Sequence, residues 1–271
     1  LVNDGHEVIV IDNESTDAHE GFYYNDDAHY YPWDVANYDI VETRFRGVDY
    51  VFHLAAEARI QPTIEDPMLA VKTNVLGTCS VLQAARKNGV KRVIYSSTSS
   101  AYGLANEIPN KEDMIKDCLN PYSVSKTSGE ELCQMYTKLF GLETVVFRYF
   151  NVYGERQPTK GQYAPVIGLF QRQHANGEPL TIVGDGMQRR DFTHVSDVVE
   201  ANILAATSDN PDILGEIFNI GSGTNNNIHD LVKMIGGEGA EFIYVPERPG
   251  ESRETLSDCS KAHNLLKWIP K

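Results

Sequence analysis

Positive charge is in short supply: 24 Lys and Arg stand against 38 Asp and Glu in 271 residues, a formal net charge of −14 at pH 7. A field of that sign repels nucleic-acid backbones and anionic membranes. It excludes polyanion binding as the main role but leaves room for a local basic pocket on a phosphorylated small molecule. Long apolar runs are missing too. No stretch nears the roughly 20 uninterrupted apolar residues that cross a membrane, and no charged-then-apolar leader opens the chain. Neither a membrane nor a nucleic acid is expected as a partner, and the protein reads as soluble and cytoplasmic. Cysteine is rare and scattered. Cys79, Cys118, Cys133 and Cys259 form no C-x-x-C pair and have no His at zinc spacing, which argues against a metal centre or disulfide scaffold and for reduced thiols. Repeats and low-complexity tracts are absent, while a 41% hydrophobic content supports a sizeable core and excludes a disordered polymer.

What is present is an alternation. Short β-branched or aromatic runs at 7–12, 48–54, 92–96 and 144–148 read as buried strands. Helical patterns run from Pro67 to Gly89 and from Pro121 to Gly141, each with Pro in the first turn and Gly beyond the last. The β-α-β-α-β series predicts an α/β fold, a Rossmann-like doubly wound parallel sheet. After Gly154 the texture shifts to shorter elements rich in Gly and Pro. Residues 1–156 are therefore expected to form the nucleotide-binding domain and 157–271 mainly a smaller C-terminal lobe, with 187–221 returning to the first domain. Both ends read as cut. Leu1 is not Met, Leu1 to His6 reads as the last turn of a helix stopped by Gly5, and Ile269-Pro270-Lys271 opens a new segment.

In doubly wound sheets ligands sit beyond the carboxyl ends of the strands. Asp12 is such a residue: an acid there accepts both hydroxyls of an adenosine ribose and repels an added phosphate, which favours NAD over NADP. A surface-loop Asp is the alternative. The Gly-rich phosphate loop that normally precedes such an acid by about twenty residues would fall before Leu1. His53-Leu54-Ala55-Ala56 ends another strand with small residues that let a flat group approach, or that simply pack as a tight turn. Ser96 to Ser100 clusters hydroxyls, including Thr98, that can hydrogen-bond a substrate oxygen. Tyr122 and Lys126 lie four residues apart, hence on one helix face, where an ammonium would favour the phenolate and bring a group that titrates near 10 toward use as a base.

In combination these residues resemble the extended short-chain dehydrogenase/reductase family, in its NAD-dependent epimerase/dehydratase branch that acts on UDP-sugars at C4. The resemblance covers essentially the whole chain. It runs through Val10-Ile11-Asp12-Asn13, Trp33-Asp34-Val35, His53 to Ala56, Asn74 to Thr78, Tyr95 to Gly103, Tyr122 to Lys126, Arg148 to Gly154, Gly184-Asp185-Gly186, Arg190 to Val195 and Arg248 to Glu251. It implies NAD as cofactor, with Asp12 and Asn13 on the adenosine ribose and Asp34 and Val35 flanking adenine. Leu54, Ala55, Ala56, Asn74, Tyr149 and Phe150 would line the rest of the site. It implies Thr98, Tyr122 and Lys126 as catalytic residues: phenolate base, hydroxyl holding the same sugar oxygen, and ammonium holding the nicotinamide ribose. On the substrate side it implies Asn151, Arg190, Arg248 and Glu251 for diphosphate and uridine ribose, with Val166 and Phe170 bracketing uracil.

Where dehydratases of the family carry an Asp-Glu pair after the catalytic hydroxyl, this chain has Ser99 and Ser100, which favours simple epimerisation. Counting from Glu251, Thr255 matches a wall position where a bulky aromatic excludes N-acetylated sugars and a small residue admits them. Ser99 and Ser100 could hydrogen-bond an acetamido group, and Gln162 to Ile167 resembles the N-acetylhexosamine branch. A UDP-sugar partner and a homodimer built on the helices at 67–89 and 121–141 follow from the resemblance. The alternatives are a uronic-acid epimerase, dehydratase or dehydrogenase of the same family, and a catalytically inactive nucleotide-sugar-binding protein.

Overall fold

The computed structural model describes residues 1–16, 21–159 and 164–271. Strands β1 (Ile9–Ile11) and β2 (His29–Tyr31) pair in parallel as a small sheet of their own. A short helix α1 (Tyr38–Val41) leads to β3 (Tyr50–His53). Ile11, Val35, Tyr38 and Val41 pack into one core with the helices that follow, so the small sheet is anchored by side chains.

The helix expected from Pro67 to Gly89 is divided. Helix α2 (Ile60–Glu65) precedes it, and α3 (Pro67–Ala70) starts at an N-cap, Asp66, whose carboxylate accepts from Leu69 N at 3.0 Å. A π-helical turn, Val71–Leu76, then leads into α4 (Gly77–Asn88), which stops at Gly89 with φ 71°. The turn has a cause. Asn74 sits inside it and donates to Ser125 Oγ at 2.9 Å and Glu57 O at 3.1 Å, while its Oδ1 accepts from Glu57 N at 2.8 Å. The side chain is drawn to two distant segments, and the backbone widens to let it reach them.

Strand β4 (Arg92–Thr98), helix α5 (Pro121–Phe140) and strand β5 (Glu143–Tyr149) follow. β4 extends two residues past its expected end and carries Ser97 and Thr98 in ladder register. Helix α5 begins at a capping box, with Asn120 Oδ1 accepting from Ser123 N at 2.8 Å and Ser123 Oγ bonded to Asn120 N, and ends at Gly141 in the left-handed conformation. It docks against β4 at Gly129, where a Cβ would stand 2.1 Å from the Tyr95 hydroxyl.

Beyond β6 (Val152–Tyr153) come α6 (Val166–Ala175), β7 (Leu180–Val183), β8 (Arg189–Asp191), β9 (Thr193–His194), α7 (Val195–Thr207) and β10 (Ile217–Ile220). The chain ends with β11 (Asn225–Asn227), α8 (Ile228–Gly236), β12 (Phe242–Val245) and α9 (Ser260–Leu266). β10 pairs with β5, giving a parallel sheet ordered β10-β5-β4-β3. Helices α4 and α5 cover one face through Val81, Leu82, Cys133 and Tyr136. Helices α7 and α9 cover the other through Ala201, Ala205, Leu266 and Trp268. Helices on both faces of a parallel sheet make the doubly wound α/β fold that the sequence predicts. Helix α7, helix α9 and Trp268 pack on this sheet, whereas β8 pairs with β11 in a sheet of its own. A third core, built from Ile167, Phe170, Leu180, Ile182, Leu231 and Val232, belongs to the smaller lobe.

The four cysteines are free, and among the described residues no helix is long and apolar enough to cross a membrane.

Candidate active site

The carboxyl end of β4 is where the chemistry gathers. Thr98, its last residue, lies opposite Tyr149 in the ladder, and its Oγ1 accepts from Ser100 N at 3.1 Å, capping the turn Ser99–Tyr102. The phenol of Tyr122, in the first turn of α5, lies near this hydroxyl. The surrounding protein pushes the Tyr122 phenol above its ordinary value and the Thr98 contact opposes the shift. One turn on, Lys126 is buried with its Nζ 4.4 Å from the Tyr95 ring centroid. Burial pulls its pKa down to about 7, against the pull of Cys133 and Glu130. The sequence expectation that Lys126 lowers the Tyr122 pKa is thus corrected. Burial raises the phenol and lowers the ammonium, and neither shift carries a contribution from the other group.

Around this centre the expected cofactor residues fall into two groups. Asp12 and Asn13 are exposed just past β1, where Asp12 Oδ1 accepts from Glu14 N at 2.8 Å and Asn13 Oδ1 from Ser15 N at 3.2 Å. Leu54 is 62% exposed at the end of β3, with Ala55 and Ala56 half-buried beside it. An uncovered apolar ledge next to small residues, plus an exposed strand-end carboxylate, fits a flat dinucleotide. The other group is occupied by the protein itself. Asp34 pairs with Lys72 Nζ at 2.7 Å, which holds its carboxyl below the usual range. Val35 packs where Gly77 leaves room, and the Asn74 amide is bonded to Glu57 and Ser125. Tyr149 accepts from Asn202 Nδ2 at 2.8 Å, and Phe150 is fully buried against Tyr102.

On the far side, Arg248 and Glu251 line a cavity of about 380 Å³ with Arg59, Gln61, Pro158 and Pro165. The turn that carries them is held from two elements. Gln61 Nε2 donates to Pro249 O at 2.9 Å, and Asn120, the N-cap of α5, donates through Nδ2 to Gly250 O at 2.9 Å. Arg190 on β8 is largely buried. Its Nη2 lies 3.6 Å from Glu251, and burial lowers its pKa while Glu251 opposes. Its neighbour Asp191 is an anchor whose carboxylate accepts from Ser222 N and Oγ, Gly223 N, and Ser257 N and Oγ at 2.6–3.1 Å. Asn151 Nδ2 reaches Thr255 Oγ1 at 3.3 Å and Asp191 O at 3.0 Å. Thr255 is buried, and its Oγ1 also accepts from Asp191 N at 3.3 Å. Ser99 is buried and Ser100 half-buried beside Thr98. Val166, at the start of α6, is half-buried. Phe170 is fully buried among Ile167, Leu180 and Ile182, so the sequence expectation that its ring brackets uracil is corrected: the ring fills a core of the protein's own side chains. Gln162 and Tyr163 of the expected N-acetylhexosamine motif lie outside the described residues.

Arg59 and Gln61 were not singled out from the sequence. Their only local signal is that they follow Ala56 closely, Arg59 as the N-cap of α2 and Gln61 in its first turn.

Residues 1–221 match the model of the NAD dependent epimerase/dehydratase family. The fold superposes with a TM-score of 0.92 on the UDP-glucose 4-epimerase of Thermotoga maritima in complex with UDP-glucose, at 36% identity over 100% of this chain and 88% of that one. It superposes at 0.89 on the UDP-N-acetylglucosamine 4-epimerase of Methanobrevibacter ruminantium in complex with UDP-N-acetylmuramic acid, at 32% identity over 98% and 85% of the two chains. The UDP-glucose 4-epimerase of Thermus thermophilus in complex with NAD gives 0.89 at 30% identity, covering 100% of this chain and 88% of that one.

Proposed function

Because this chain belongs to the NAD dependent epimerase/dehydratase family, we propose that it inverts C4 of a UDP-sugar through a transient 4-keto sugar. The observation that carries the reading is the meeting of Thr98, Tyr122 and Lys126 at the end of β4 with only hydroxyls, Ser99 and Ser100, following in the chain. Eliminating water from a keto sugar calls for a carboxylic acid–base pair in those places, whereas inversion does not. Likeness to 4-epimerases with bound UDP-sugars supports the same class.

We assign Asp12, Asn13 and the Leu54–Ala56 ledge to NAD, with Asp34, Val35, Asn74, Tyr149 and Phe150 shaping its cleft. NAD, when bound there, would supply a reversible hydride acceptor beside C4, and inversion requires the keto sugar to present its other face before the hydrogen returns. Tyr122 takes the proton of the C4 hydroxyl, Thr98 holds that oxygen through its hydroxyl, and Lys126 holds the nicotinamide ribose. Arg190 and Arg248 grip the diphosphate, for which planar guanidinium groups are suited. Glu251 takes the uridine ribose, Asn151 steadies the diphosphate and Val166 bounds the uracil. Residues 157–271, apart from the stretches that pack on the large sheet, form the nucleotide-sugar lobe.

We infer that Thr255, small and hydrogen-bonded to Asn151, stands at the wall position where a bulky aromatic would exclude an acetamido group. The testing experiment compares UDP-N-acetylglucosamine with UDP-glucose on the full-length wild type and on Thr255→Tyr. Expected are comparable wild-type rates and loss of the acetylated activity alone in the variant. A wild type confined to UDP-glucose, or a variant still using the acetylated sugar, removes the gate. Inactivity on both sugars counts against 4-epimerisation.

A further inference from the structure

Glu130 is fully buried on α5, one turn past Lys126. Its Oε1 accepts from Arg148 Nε at 2.9 Å and Ser97 Oγ at 2.6 Å. Its Oε2 accepts from Arg148 Nη2 at 2.8 Å and lies 3.2 Å from Lys116 Nζ. Burial opposes its ionisation, but Arg148, Ser97 and Lys116 outweigh that and hold its pKa below the usual range. Ser97 and Arg148 stand directly opposite each other in the β4/β5 ladder, and the next rung is Thr98 opposite Tyr149. One carboxylate thus pins α5 to both strands at the rung beneath the site. Arg148 is braced from behind by Tyr102, whose ring centroid lies 4.8 Å from the guanidinium and whose hydroxyl donates to Asn219 Oδ1 at 2.6 Å. A buried ion pair carries a desolvation cost that apolar residues of similar volume avoid, so stability alone is a weak reason for one here.

We propose that Glu130 is a positioning residue for the reaction: by clamping the Ser97–Arg148 rung to α5 it sets the distance between Thr98 on β4 and Tyr122 and Lys126 on α5. The inference rests on the epimerase reading above. Misplacing reacting groups by an ångström costs up to about 100-fold in rate. The groups assigned to the diphosphate lie on other elements, Arg190 on β8 and Arg248 in the turn before Glu251, so a loosened clamp should lower kcat and spare KM.

The test is Ser97→Ala in the full-length enzyme, which removes one donor and leaves the ion pair. The expected result is a kcat about tenfold lower, with KM, NAD content and melting temperature unchanged. Glu130→Gln, which keeps the shape and loses the charge, should lower kcat further. Amide hydrogen exchange reads the clamp without turnover. Ser97→Ala should speed exchange in residues 98–102 and 121–126 and leave 180–183 as in the wild type. Wild-type kcat in Ser97→Ala, a rate loss that only tracks a fall in melting temperature or a rise in KM, or unaltered local exchange would overturn the inference. A wild type inactive on every UDP-sugar would instead strike the epimerase reading, and the exchange result would still decide the clamp.

Discussion

Thr98 stands between the two elements of the proposed site, since its hydroxyl lies near Tyr122 on α5 and its backbone ends β4. Removing that hydroxyl has two effects of known sign. It deletes a hydrogen bond to the reacting oxygen, which costs on the order of 100-fold in kcat. It also removes the one contact that lowers the Tyr122 pKa, so the phenol, already raised by burial, titrates higher still. In the proposed mechanism the phenolate is the active form, and it exists above its pKa. In Thr98→Ala the acid limb of the kcat profile should therefore move to higher pH, read from rates across the range; an unmoved limb at an unchanged rate would shift the role to Ser99 or Ser100. Spacing alone put Tyr122 and Lys126 on one face, because four residues is one helical turn. It could not foresee their opposite pKa shifts, which arise from burial by residues far along the chain. Nor could it mark Gln61 and Asn120, whose partners Pro249 and Gly250 lie 188 and 130 residues away.

At the scale of elements, the site is a docking problem: α5 must lie close enough to β4 for Tyr122 to meet Thr98. Gly129 makes this possible, since any side chain there would run into Tyr95. Gly129→Ala should therefore destabilise the protein by about 1–3 kcal/mol or more, despite the better helix propensity of Ala. Denaturant titration checks this, and a stabilised variant would show that α5 is not held at that distance. The helix ends were legible because Pro121, Gly89 and Gly141 signal them locally. The π-helical turn was not, because it depends on Asn74 reaching Glu57 and Ser125 from other segments. Strand β4 also ran longer than expected, since a Ser-rich end lacks the apolar pattern that marks a buried strand.

For the whole molecule, the alternation of apolar runs and helical patterns was sufficient to anticipate a doubly wound sheet. It did not anticipate that α9 and Trp268 return to that sheet, because a helix of seven residues gives no sign of which face it will cover. Leu76, Val124, Leu139 and Phe140 leave apolar surface exposed around α4 and α5, and we propose that it pairs with a second copy about a two-fold axis. Light scattering of the full-length protein at micromolar concentration should give a dimer, and Leu139→Glu should weaken it; a wild-type monomer would refute the pairing. The central claim concerns the sugar: the hydrogen at C4 leaves and returns to the same carbon while Tyr122 handles the hydroxyl proton. Its most direct test follows UDP-N-acetylglucosamine deuterated at C4 through turnover by the full-length enzyme in ordinary water, by NMR. The account predicts the C4 epimer with its deuterium retained, and loss of the label to solvent, or a dehydrated sugar in place of the epimer, would contradict it.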